Sequence, residues 1–159
     1  MAFTLDKRFE KCTNENSFKM LYLKKASNAS DFYAFPIETE ETVKGFPDVL
    51  CVEKATGKAS FLEFKFTYNG TIHFQPTQPA FYKKYGTMPI LIVAYNKKTR
   101  ILHTFMSSEL FKKTSPYCLN GMCSINLIPI EEVKMKADET LKKLLTEAKQ
   151  LAWDESCPE

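Results

Sequence analysis

The sequence predicts an α/β fold, a mixed β-sheet core flanked by helices, in a single domain spanning residues 1–159. Three observations carry this. Two strands, 49–52 and 59–66, are joined by the short connection Ala55-Thr56-Gly57-Lys58, which reads as a hairpin. A helix-forming stretch follows, from Gln75 to Gly86. Then comes a continuous apolar run, Pro89 to Tyr95, of the length and composition of a central strand buried on both faces. A helix between two such strands is a βαβ crossover, and crossover plus hairpin make a sheet with parallel and antiparallel neighbours.

Residues 5–26 read as mainly helical, with Phe18, Leu21 and Leu23 as apolar positions and Lys24-Lys25 suited to a C-terminal turn. Thr13-Asn14 is an alternative start for a fresh helix. Asp31 to Ile37 reads as the first strand, and Glu38 to Gly45 as a polar loop. Gly45 offers backbone freedom just ahead of the turn Phe46-Pro47-Asp48. In the helix after Asn69-Gly70, Thr77 is the expected N-cap, Pro79 sits in the first turn, and Gly86 is the expected stop. Asn96 to Thr99 turns the chain into Ile101–Met106, an antiparallel neighbour, and Ser107-Ser108-Glu109 starts a short helix.

Asn120-Gly121 predicts a type I′ hairpin that sets Cys118 opposite Cys123, with Ile125 to Ile128 extending the sheet or making a small appendage. Asp138 to Ala152 is patterned as a helix by Leu141, Leu144, Leu145, Ala148 and Leu151. Trp153 is expected to pack or to serve a dimer contact.

The chemistry concentrates in strand 59–66. Side chains alternate faces with a period of two, so Leu62, Phe64 and Phe66 share one face and Glu63 and Lys65 the other. An interior strand that carries a carboxylate and an ammonium side by side must pair them or use them. Asp48 opens the neighbouring strand, which brings it beside Glu63. Two carboxylates sharing a site repel, and hard oxygen ligands of this kind suit Mg²⁺ or Mn²⁺.

Composition narrows the function classes. With 44% apolar residues the chain can fill a core. A net charge of +3 and a pI near 8.5 permit a polyanionic partner without demanding one. No apolar run approaches membrane-spanning length and the N-terminus has no signal-peptide pattern, so the expectation is a soluble, cytoplasmic protein with no membrane partner. Five cysteines without repeated spacing point to reduced thiols, and the two histidines, His73 and His103, have no zinc spacing. The sequons at Asn28 and Asn69 read as chance.

Pro47-Asp48, then Glu63-x-Lys65 on the next strand, then Gln78 at the start of a helix, resembles the PD-(D/E)XK nuclease superfamily, with its restriction-endonuclease-like fold. The small size is similar to Holliday-junction resolvases and phage nucleases, and the string Ile72 to Gln78 resembles RecU-type resolvases. The likeness covers residues 15–95 and is one of spacing and order. It implies Mg²⁺- or Mn²⁺-dependent hydrolysis of DNA phosphodiesters by an endonuclease acting on Holliday junctions or other branched DNA, with a virus-encoded origin among the expectations. Asp48, Glu63 and the Phe64 carbonyl are the implied metal ligands. Lys65 is implied to position the attacking hydroxide or to stabilise transition-state charge.

Gln78 is implied to contact the nucleophilic water, a phosphate or Lys65. Glu15 is the candidate for a further acid on the first helix, with Glu10 as its competitor. Lys83, Lys84, Lys97, Lys98, Arg100, Lys112 and Lys113 are available for DNA backbone contacts. Two other readings stand: an exonuclease or repair nuclease on the same fold, and a non-catalytic DNA- or protein-binding module. Resolvases of this kind imply a homodimer.

Overall fold

The structure, a computed structural model, describes residues 2–4, 7–29, 32–37, 45–109 and 123–126. Among them run β1 (Ala2–Thr4), α1 (Glu15–Ala29), β2 (Phe32–Pro36), β3 (Val49–Glu53), β4 (Ala59–Thr67), β5 (Thr71–Phe74), α2 (Thr77–Lys84), β6 (Ile90–Asn96), β7 (Ile101–Met106) and β8 (Cys123–Asn126). Six strands form one sheet in the order β1-β7-β6-β4-β3-β2, and β5 and β8 form a separate pair. The crossover through α2 makes β4 and β6 parallel, from Phe61 opposite Ile90 to Thr67 opposite Asn96, while the remaining pairs of the large sheet are antiparallel. Helix, strand, hairpin, helix and parallel strand follow in the order that the sequence predicts, and the sheet is mixed as expected.

Of the two readings of residues 5–26, a fresh helix is the one that forms. Lys7–Lys11 is a separate 3-10 turn, and α1 begins at Glu15. Asn14 is the reason. Its Oδ1 accepts the Ser17 N–H at 2.8 Å, and Ser17 Oγ accepts the Asn14 N–H at 3.1 Å, a reciprocal cap that starts a helix at this point. Helix α1 then lays Phe18 and Tyr22 on the sheet. Phe18 stacks on Tyr95 at 5.2 Å between ring centres, and Tyr22 meets Phe64 edge-on at 5.1 Å. Leu62 and Phe64 join this cluster, so one face of β4 is sealed by α1.

The opposite face is covered as well. Phe74, Phe81, Tyr82, Ile90, Ile92, Ala94 and Phe105 form a second cluster there, with Phe46 and Phe61 packed on it. Strand β6 is therefore buried at every position. Two local expectations change, both at the ends of α2. Thr77 is the first helical residue of α2 rather than its N-cap, which is Pro76, and the helix closes at Tyr85 rather than Gly86. Ala2–Thr4 pairs with β7 as an edge strand that the sequence reading lacked. Strand β8 pairs with β5, Cys123 opposite Phe74, as a small appendage. Cys118, the Asn120-Gly121 turn, the 138–152 helix, Trp153, Lys112 and Lys113 lie outside the described residues.

Gly45 ties the Pro-Asp turn to α2. Its φ is +89°, a region that L side chains rarely adopt, and a Cβ added there would collide with the Thr77 carbonyl and Phe81. We expect Gly45→Ala to cost about 2 kcal/mol or more, through strain and displaced backbone, measurable by urea unfolding.

Candidate active site

The site is built where β3 and β4 diverge. Their ladder ends with Val49 opposite Leu62, so Asp48 stands beside Glu63, one step further on. Two crossed hydrogen bonds replace the missing rungs. The Asp48 N–H donates to Glu63 Oε2 at 3.2 Å, and the Phe64 N–H donates to Asp48 Oδ2 at 3.0 Å. Pro47, across from Phe64, has no N–H to enter the ladder. In an extended strand a residue's N–H and C=O point to the same edge, so the Phe64 carbonyl faces the edge where the two carboxylates meet.

Glu63 and Lys65 are only 2% and 8% exposed, because α2 and β5 cover their face. Lys65 Nζ lies 3.8 Å from Glu63 Oε1, donates to Gln78 Oε1 at 3.0 Å, and sits 4.6 Å from the centre of the Phe74 ring. Gln78 joins the parts. Its Oε1 also accepts the Gln75 N–H at 3.0 Å, and its Nε2 donates to Glu63 Oε1 at 2.6 Å. Two donors on one atom fix that atom as oxygen, so the amide has a single orientation. Among the contacts considered for Gln78, the one this structure makes is with Lys65.

Glu15 opens α1 at the solvent side of the cluster. Burial pushes its carboxyl pKa up, the Lys65 ammonium pulls it down, and the Asp48 charge raises it. Glu10 points elsewhere, to Arg100 at 3.1 Å. Two of the basic residues expected on DNA are engaged within the chain. Arg100 takes that Glu10 pair, and Lys97 Nζ donates to the Cys12 carbonyl at 2.6 Å. Lys83, Lys84 and Lys98 are exposed.

Glu63 is the electrostatic centre. Burial raises its pKa well above the ordinary 4.5, the Asp48 charge raises it further, and Glu15 adds to this. The Lys65 ammonium and the Asp48 N–H act in the other direction. Asp48, Glu63 and Glu15 thus crowd around the Lys65 ammonium, with Lys19 acting on Glu15 besides, and the acids outnumber the cations. That surplus of negative charge, together with two carboxylates and a peptide carbonyl at one edge, fits a hard divalent cation. Mg²⁺ commonly takes one or two protein carboxylates and fills its other positions with water and phosphate. Among the described residues no group of three or more His, Cys, Asp or Glu side chains is placed to hold an ion.

Sequence reasoning missed Tyr82. It lies one helical turn beyond Gln78 on α2, and that i, i+4 spacing was the available signal. Tyr82 is 2% exposed, and its hydroxyl has no hydrogen-bond partner among the described residues. Burial, then the charges of Glu63, Asp48 and Glu15, push its pKa well up. A buried hydroxyl without a partner costs stability. Tyr82→Phe is expected to stabilise the metal-free protein by about 1 kcal/mol, read as a higher urea midpoint at unchanged slope.

No family model matches the sequence, and no curated protein does. Among solved structures the chain resembles Hjc, a Holliday junction resolvase from the archaeal hyperthermophile Archaeoglobus fulgidus. The TM-score is 0.48 and the identity 11%, over 81% of this chain and 92% of that one. Among the described residues no helix is long and apolar enough to cross a membrane.

Proposed function

We propose that this protein is a divalent-metal-dependent DNA endonuclease that hydrolyses phosphodiester bonds in branched DNA of the Holliday-junction kind. The observation that carries the reading is the hydrogen-bonded set Asp48, Glu63, Lys65 and Gln78, closed around a buried carboxylate. Asp48, Glu63 and the Phe64 carbonyl are the proposed ligands, with Glu15 as an outer acid. A bound Mg²⁺ or Mn²⁺ would supply a water of lowered pKa and a Lewis acid toward the phosphate.

The chain's own residues supply orientation and charge. The crossed backbone bonds hold Asp48 and Glu63 in fixed rotamers. Gln78 keeps the Lys65 ammonium beside the carboxylates. That ammonium has three N–H donors, and Gln78 Oε1 takes one. Another is left for a phosphate oxygen or for the attacking water, where it offsets developing negative charge. The Phe74 ring under Nζ keeps bulk water from that side. The junction preference rests on the resemblance over residues 72–78, and a symmetric cut in two strands implies a dimer.

The test is direct. A four-way junction, a flap, a single strand and a closed plasmid are incubated with the protein, with and without Mg²⁺ or Mn²⁺. We expect metal-dependent nicking of the junction, and retention of the closed plasmid's supercoils. Absence of cleavage on all four substrates with either metal would sink the reading. Degradation of linear strands alone would move it to an exonuclease.

A further inference from the structure

The edge strand β2 leaves two large rings open. Tyr33 and Phe35 are 53% and 49% exposed, while their alternate neighbours Phe32 and Ala34 pack into the α1-side core. Standing two residues apart, they share one sheet face. The register says which face. Phe35 lies opposite Leu50, and Leu50 opposite Phe61. The rings therefore lie on the side that carries Phe61, Glu63 and Lys65. The row also runs toward the site, because the Ile37 N–H donates to the Asp48 carbonyl at 2.8 Å, two residues beyond Phe35. The ring centres are 6.1 Å apart and the planes inclined by 36°, so neither ring covers the other's face. The Lys54 ammonium lies over the Tyr33 ring, 5.0 Å from its centre, and covers one face of it until a phosphate draws the flexible side chain aside.

We propose that Tyr33 and Phe35 form a stacking platform for unpaired nucleotides of the substrate strand that flanks the cleavage position, with Lys54 at the adjoining phosphate. This deepens the nuclease reading and rests on it for the substrate. Four features favour a nucleic-acid occupant. Aromatic side chains at alternate positions of a sheet face receive bases without regard to sequence, since every base has a π-face. The 6.1 Å ring spacing exceeds the ~3.4 Å step of stacked duplex bases, so it suits bases that have come apart. A duplex keeps its base faces inside, so only unpaired nucleotides reach the rings. A cation at the outer ring complements a phosphate, whereas a self-pairing apolar face has no use for one.

The experiment uses the full chain, Tyr33→Leu, Phe35→Leu and the double variant, which keep apolar area but lose the π-faces. Far-UV circular dichroism checks that each is folded. Binding of a labelled mixed-sequence single strand and of a blunt duplex is measured by fluorescence anisotropy in EDTA at one fixed salt concentration. The expected result is a weakening of single-strand binding by about five- to 150-fold per ring, with duplex binding unchanged. Wild-type affinity in the double variant overturns the proposal. So does a wild type that binds no single strand. Sedimentation adds a further arm. A dimer that falls to monomer in the variants, with single-strand affinity unchanged, assigns the face to a second copy instead and overturns it too. The two readings fail separately. Metal-dependent cleavage with unaltered single-strand binding in the variants removes the platform alone. Ring-dependent binding without cleavage of any substrate removes the nuclease alone.

Discussion

Asp48→Asn is expected to abolish cleavage and, at the same time, to make the metal-free protein more stable. The asparagine keeps an oxygen for the Phe64 N–H but removes the negative charge that opposes ionisation of Glu63. In the proposed role as a metal ligand Asp48 supplies several kcal/mol of charge stabilisation, so its loss is expected to slow cleavage by about three orders of magnitude. Relief of the like-charge contact adds about 1 kcal/mol, roughly 2–4 °C in melting temperature for a chain of this size. Wild type should also gain stability from Mg²⁺ or Mn²⁺, more at pH 8 than at pH 6, where protons compete for Glu63. Asp48→Asn should lose most of that gain. Calorimetry of both proteins with and without metal checks all three outcomes. A variant that is inactive and less stable would show that Asp48 is principally a structural hydrogen-bond acceptor.

Lys65→Met should remove activity by about 10²–10³-fold and expose the pH dependence of the buried carboxylate. Methionine keeps the stem's packing but leaves Glu63 without its cation. Glu63 already has a raised folded pKa, and losing the ammonium, which lowers it, raises it further. A carboxyl with a folded pKa above its unfolded value stabilises the fold while protonated. That contribution is whole below the unfolded value, near 4.5, and is lost as pH climbs through the folded pKa. The variant should therefore be weaker than wild type by about 3 kcal/mol at pH 8, with most of the deficit gone by pH 5. Urea titrations across that range test it. A deficit that stays constant with pH would mean lost packing rather than an uncompensated charge.

The hairpin and the crossover were legible because each is local. A Gly-bearing turn between two β-rich runs, and a helix between two strands, announce themselves within about thirty residues. The juxtaposition of Asp48 with Glu63 was legible for the same reason, since strand alternation and a short connection fix the register. Burial of the Glu63-Lys65 face was not. Strand alternation alone is equally compatible with a solvated Glu-Lys face, and its cover comes from Phe74, Phe81 and Tyr82, which nothing in the strand foretells. Pairing of β1 with β7 and of β5 with β8 was hidden for a like reason, being distant in sequence. At α1 the cap decided where the helix starts. Asn14 and Ser17 satisfy each other's backbone, so the chain breaks at Thr13 instead of running on from residue 5. The exposed pair Tyr33 and Phe35 counted in the sequence only as strand formers. Their openness follows from β2 being an edge.

The amide of Phe64 gives the molecule a built-in spectroscopic reporter. Its proton is bonded to a carboxylate and not to a neighbouring strand. Whatever draws electron density from Asp48 weakens that bond, so one backbone resonance in a nitrogen-edited NMR spectrum follows the occupancy of the acidic edge, with no substrate and no turnover needed.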